Sequence, residues 1–147
     1  CTIKPGSVLP RLTMKKHPNA SAYIPGDCNI NEYEVAIRRK LGYVGLQAYI
    51  VGLVLLLVLT DWLWWRLLLF LPAALAAIGF LQAKYRFCVY YAMHGRQKAE
   101  PGSRTPHTVT NEAALLKDRR RARAIKLQAL AIALAATAAA LVLPSIR

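Results

Sequence analysis

The 147-residue chain combines 56% hydrophobic residues with 20 Lys and Arg against 7 Asp and Glu, a formal net charge of +13. Its length is that of one domain, and soluble domains usually contain only about 45–50% apolar residues. Because the apolar and the charged residues lie in separate stretches of the chain, the composition argues against a soluble protein and favours an integral membrane protein.

Residues 1–40 are predicted to form a basic N-terminal arm and an interfacial helix. Four prolines before Gly26 prevent a continuous helix in the arm. From Asn31 onward the sequence favours a helix, with Asp27 or Asn29 as its N-cap. This helix ends in a basic triplet that we expect at the lipid headgroups: Arg38, Arg39 and Lys40.

Two uncharged apolar stretches, Leu41–Thr60 and Leu67–Ala83, predict a transmembrane helical hairpin over residues 41–83. At about 1.5 Å of rise per residue they cover roughly 25–30 Å, against a bilayer core of about 30 Å. The turn between them holds three tryptophans, which are typical of a headgroup belt. Stacking on a pigment or substrate is the alternative for these rings, which are Trp62, Trp64 and Trp65.

Residues 84–126 form a connection with eleven basic residues and three acids. Pro and Gly within residues 100–106 predict a linker, and an N-cap signal at Thr110–Glu112 begins a long final helix. Because a membrane span follows the basic run directly, anionic lipids or an acidic partner are the expected targets, and nucleic acid is not. The candidate contact residues are Arg119, Arg120, Arg121 and Arg123.

The third predicted span, Leu127–Leu143, contains eight alanines and leads into a short tail within residues 127–147. Ala131, Ala135 and Ala139 are spaced by four residues, so this face lets another helix approach closely. We expect it to contact either the chain's own hairpin or a neighbouring subunit, and a lone lipid-facing anchor is the alternative. The matching small positions in the hairpin are Ala48, Gly52, Ala73 and Ala77.

The basic residues also predict an orientation. They concentrate before the first span and in the connection, whereas the other side has only Arg66 and Arg147. This places the N-terminus inside and the C-terminus outside a bacterial inner membrane or an organellar membrane. The three widely spaced cysteines argue against a disulfide framework, and on the inner side they are expected to stay reduced.

Few residues are candidates for chemistry. No ionisable group lies within the predicted spans, so substrate transport by this chain alone is not expected. His94, just after the second span, is a weak candidate for a pigment or a metal. Cys28 and Cys88 each lie just outside a span on the same predicted side, which allows a redox or sulfur-transfer site. No catalytic arrangement surrounds them, so the sequence predicts a non-enzyme that needs no cofactor or metal.

Two segments carry a resemblance, and their positions are Cys28–Glu32 with Arg38, Arg39 and Gly42 through Gly45, and then Phe87–Gly95. They resemble the two ends of the hairpin in a small two-helix membrane family of uncharacterised function, whose members are sometimes fused to rhodanese domains. The family often has Pro where this chain has Val89. The resemblance covers about Cys28–Gly95 and implies a membrane hairpin, with a hint of sulfur or redox biology.

Together these features predict an all-α integral membrane protein with three transmembrane helices. The expected function is that of a non-catalytic accessory or scaffolding subunit, with respiratory and photosynthetic complexes as candidate settings. Its partners would be other membrane-protein subunits and anionic lipids. Two alternatives stay open: a redox or sulfur-handling protein that uses Cys28 and Cys88, and a membrane anchor that recruits an acidic partner.

Overall fold

The computed structural model describes residues 23–59 and 63–143. Its main helices are α1 (Glu32–Leu59), α2 (Phe70–Tyr85), which a 3₁₀ turn over Leu63–Leu69 precedes, and α4 (Glu112–Val142), with a short α3 (Val89–Met93) between the last two. Three helical stretches are long and apolar enough to cross a membrane: α1, Leu63–Tyr85 and α4. The predicted all-α class with three helices of spanning length is therefore confirmed.

Helix α1 continues without a break from the predicted interfacial helix into the first span. Asn31 caps its start, because its Oδ1 accepts a hydrogen bond from the Glu34 N–H at 3.1 Å. The prediction of Asp27 or Asn29 as the N-cap is wrong. The Asn29 side chain instead binds the backbone of Cys88, and Asp27 lies in the turn that precedes α1.

Helices α1 and α2 cross at glycines, which bring their backbones together. A Cβ atom added to Gly45 would lie 2.5 Å from the backbone N of Ala76, and one added to Gly79 would lie 2.6 Å from the backbone N of Gly42. Neither clash could be relieved by a side-chain rotation, since the nearest atoms belong to the backbone. These small residues therefore fix the closest approach of the hairpin.

Residues 86–111 form a folded connection between α2 and α4. Helix α2 ends at Tyr85, and the next residue, Arg86, turns the chain toward α3 with a φ of 51°. Two short strands, β1 (Arg96–Gln97) and β2 (His107–Thr108), then pair antiparallel. The predicted linker over residues 100–106 is tied to the start of α1, because the Asn31 amide donates to the Glu100 carbonyl at 3.1 Å.

Helix α4 is one unbroken helix of 31 residues, as predicted, and Asn111 caps it by accepting from the Ala114 N–H at 3.2 Å. Helix α2 is central and packs against both α1 and α4. The α4 face within the molecule consists mainly of small residues. Its buried members include Ala122, Ile125, Ala129, Ala133, Thr137 and Ala140.

The alanines predicted for helix packing lie elsewhere on α4. Ala131, Ala135 and Ala139 are all exposed, so of the two expected contacts the one with the chain's own hairpin is not made. The buried Ala129 and Ala133 each lie two positions away from an exposed alanine, which is about 200° around the helix. Contact of the exposed alanines with a neighbouring subunit stays a prediction.

The small hairpin residues predicted to contact α4 also differ in whether they are buried. Ala73 and Ala77 are buried, whereas Ala48 is exposed. A Cβ atom on Gly52 would come 3.0 Å from Leu69 Cδ2, so Gly52 faces the 3₁₀ turn.

Candidate functional site

A polar cap of five side chains lies beside the start of α1 and is the most elaborate buried site in the described residues. It consists of Asn29, Glu34, Arg38, Cys88 and Lys98. These residues come from the turn before α1, from α1 itself, from the start of α3 and from the residue after β1. The cap therefore joins segments that are far apart in the sequence.

The centre of the polar cap is an ion pair between Glu34 and Lys98. The Lys98 Nζ lies 2.8 Å from Glu34 Oε1, and the two side chains are only 9% and 8% exposed. Arg38, one helical turn after Glu34, places its Nη2 3.5 Å from the other carboxylate oxygen. The hydrogen bond to Glu34 raises the pKa of Lys98, even though burial opposes this. Lys98 is thus held as a cation beside the buried carboxylate.

Asn29 connects the segment before α1 to the start of α3. Its amide nitrogen donates to the Cys88 carbonyl at 3.0 Å, and its amide oxygen accepts from the Cys88 N–H at 2.6 Å. An amide side chain can serve both backbone groups, since it carries a donor and an acceptor. Both residues are fully buried, so these bonds satisfy backbone groups that water does not reach.

The Cys88 thiol is shielded. Its Sγ accepts from Arg38 Nη2 at 3.3 Å, yet burial raises the pKa of the thiol overall. A neutral, buried thiol is a poor nucleophile. Cys28 is disulfide-bonded and Cys88 is free, so the two cysteines do not pair with each other. At Cys28 the structure therefore differs from the expectation of reduced cysteines, which rested on their predicted position on the inner side.

The one acid within the basic run of α4 also has a structural partner. Asp118 is buried, and its carboxylate accepts from the Tyr23 hydroxyl at 2.8 Å and from the Gly26 N–H at 2.6 Å. Burial of Tyr23 and the hydrogen bond from its hydroxyl to Asp118 raise the pKa of Tyr23. Asp118 thus fixes the turn over residues 24–28 against the side of α4.

Arg66 also links two elements through hydrogen bonds, at the opposite end of the helices from Asp118. It is buried, and its Nη1 donates to the carbonyls of Ala140 at 3.1 Å and Leu143 at 2.5 Å. The last carbonyls of a helix have no partner within the helix, and a cation there also interacts favourably with the helix dipole. Arg66 therefore links the 3₁₀ turn to the end of α4.

Most of the basic residues and tryptophans predicted to contact lipid or a partner lie at the surface. Arg39, Lys40, Arg119, Arg120 and Arg123 are exposed, as a role at headgroups or at a partner requires. Arg38 belongs to the polar cap, and the Arg121 guanidinium lies 4.5 Å from the centre of the Tyr85 ring. Trp64 and Trp65 are exposed, whereas Trp62 lies outside the described residues.

His94 directly follows α3 and is exposed, away from the helical spans. Its ring stacks on Tyr90 with centroids 4.3 Å apart, and its Nδ1 lies 2.9 Å from the Tyr90 carbonyl. Within residues 23–59 and 63–143, no group of three His, Cys, Asp or Glu side chains is arranged to hold a metal.

The site roles of four residues were not predicted from the sequence: Asn29, Glu34, Lys98 and Asp118. Two weak signals were present: the four-residue spacing of Glu34 and Arg38, and a single acid inside a basic run. Comparison of the chain with models of protein families, with curated proteins and with solved structures finds no match. The segments around Asn29 and Cys88 meet in the polar cap, and the resemblance noted for them in the sequence stays a prediction.

Proposed function

We propose that this chain is a non-catalytic accessory or scaffolding subunit that joins a larger membrane complex through α4. The observation that supports this most directly is a second small-residue face on that helix, turned away from the hairpin. It comprises Ala131, Ala135, Ala138 and Ala139, all of them exposed. We call it the outer alanine face.

The outer alanine face differs from its neighbour on the same helix. Leu127, Leu130 and Leu134 are exposed beside it and are large enough to pack well against lipid chains. Alanine offers less surface to lipid, and small residues let another helix approach closely, which is a main source of helix association in bilayers. The division of α4 into a leucine side and an alanine side favours lipid on the first and protein on the second.

The polar cap fits a structural role in such a subunit. Its ion pair and its Asn29–Cys88 bonds hold the start of α1 to the connection. The redox or sulfur-handling alternative has less support, because the Cys88 thiol is buried with a raised pKa and does not pair with Cys28. A scaffold needs fixed helix ends, and the cap and Arg66 each fix one end.

Recruitment of an acidic partner is the second candidate. Arg119, Arg120 and Arg123 are exposed on α4, and the neighbouring carboxylate of Asp118 is buried against the turn over residues 24–28. The positive charge of this face is therefore left for an external anion. Reversing it with Arg119→Glu and Arg120→Glu should release an acidic soluble partner while the membrane complex stays intact.

The outer alanine face can be tested by native electrophoresis of membranes solubilised in mild detergent. We expect Ala135→Leu to shift the chain from a large complex to a much smaller species, because the bulkier side chain keeps the partner helix away. Leu134→Phe, a comparable enlargement on the leucine side, should leave the large complex unchanged. Equal behaviour of the two variants would remove the support for this interface.

A further inference from the structure

A groove with a volume of about 560 Å³ opens between α1, α2 and α4. Small residues of α2, among them Ala73 and Ala77, lie along it, with Tyr43 on the α1 side and Ile132 on the α4 side. At the α1–α4 boundary the Tyr49 hydroxyl donates to the Ala136 carbonyl at 2.8 Å. Volumes of about 300–1,000 Å³ are usual for small-molecule sites.

The groove is apolar along the spans but basic at one end. Arg39 on α1 and Lys84 in the last turn of α2 line that end, and both are exposed. Because α1 and α2 run antiparallel as a hairpin, these two cations lie at the end where the polar cap is. Among the described residues, no carboxylate forms a salt bridge with either of them.

We propose that this groove binds one anionic phospholipid, with its phosphate at Arg39 and Lys84 and an acyl chain along α2. The match is one of charge and of polarity: one end has two exposed cations that form no salt bridge with a described carboxylate, and an apolar path lies beyond them. From Lys84 to Ala73 the helix rises about 16 Å, which gives an acyl chain a long contact. A zwitterionic phospholipid offers the same chains, but its own cation opposes the two basic side chains.

This site is separate from the outer alanine face and does not depend on it. The groove uses the side of α4 that holds Ile132 and Ala136, whereas the proposed subunit contact uses Ala131 and Ala135. The ligand is also more specific than a general attraction of basic residues to an anionic surface, because it requires both the cations and the groove. The two requirements can be removed one at a time.

The test is native mass spectrometry of the purified full chain, titrated with phosphatidylglycerol or with phosphatidylcholine of matched acyl chains. We expect phosphatidylglycerol to bind more tightly than phosphatidylcholine. The double variant Arg39→Gln with Lys84→Gln should weaken phosphatidylglycerol binding by about fivefold for each charge removed, from about 1 kcal/mol per basic residue. It should also abolish the preference for phosphatidylglycerol over phosphatidylcholine. Arg119→Gln with Arg120→Gln removes the same charge outside the groove and should preserve it.

A second variant tests the apolar half of the site. Ala136→Phe fills the groove from the α4 side without changing any charge, and it should weaken the binding of both lipids. The inference is overturned if the original chain shows no preference, if the Arg119/Arg120 control loses it equally, or if Ala136→Phe binds as before. The first two results would mean no headgroup site in the groove, and the third would mean that the acyl chain lies elsewhere.

Discussion

The buried carboxylate of Glu34 depends on its two cationic neighbours, Lys98 and Arg38. Lys98→Met removes one of its two cations and leaves the charge in an environment that water scarcely reaches. Breaking a buried pair from one side costs about 3–5 kcal/mol, so we expect a loss of about 3 kcal/mol in the free energy of unfolding. Thermal unfolding of both proteins in detergent measures this loss of stability.

The matched variants separate the charge from the loss of a side chain. Glu34→Gln combined with Lys98→Met removes both charges and should recover part of the stability. Arg104→Met, at an exposed position of the same connection, should change it little. A Lys98→Met protein as stable as the original would show that the pair contributes nothing.

The same lysine predicts a dependence of stability on pH. Its pKa is raised above the ordinary value of 10.5 in the folded protein, because it donates a hydrogen bond to Glu34. Its stabilisation is therefore fully present below pH 10.5 and is lost as the pH rises through the folded value. We expect the melting temperature to fall at alkaline pH, and to fall less steeply in Lys98→Met. Parallel pH profiles of the two proteins would contradict this assignment.

At the scale of elements, the crossing of α1 and α2 depends on Gly45. Gly45→Ala places a Cβ atom 2.5 Å from the backbone N of Ala76, so the helices must separate. Overpacking of this kind costs about 1–3 kcal/mol, and we expect the upper end of that range because backbone atoms cannot rotate away. Gly52→Ala is the matched control, since its nearest neighbour is a flexible leucine methyl group at 3.0 Å. Equal melting temperatures of the two variants would refute this account of the crossing.

The elements also show what the sequence could and could not predict. Charge-free stretches and the cap at Asn111 predicted the helices, because those signals are local. Glu34 and Lys98 are separated by 64 positions in the sequence, so their pairing depends on the path of the chain and no local pattern encodes it. Four-residue alanine spacing was ambiguous for a different reason. Ala129–Ala133 and Ala131–Ala135 both satisfy it, and only the position of the hairpin decides which pair is buried.

For the whole molecule, the structure places the start of α1 and the connection at the same end of the helices. The amide of Asn31 donates to the Glu100 carbonyl, and the Lys98 N–H donates to the Asn29 carbonyl at 2.7 Å. We therefore expect Arg104→Cys and Trp64→Cys to react with an impermeant thiol reagent from opposite sides of the membrane, with Arg104 inside. Labelling of both positions from one side would refute the predicted topology.

Photo-crosslinking in native membranes tests whether the outer alanine face contacts another membrane subunit. A photoreactive amino acid is placed at Ala135 in one variant and at Leu134 in another, where the exposed leucine side faces lipid in this account. We expect a discrete protein adduct from position 135 and lipid adducts alone from position 134. The same adducts from both positions, or no protein adduct from position 135, would contradict it.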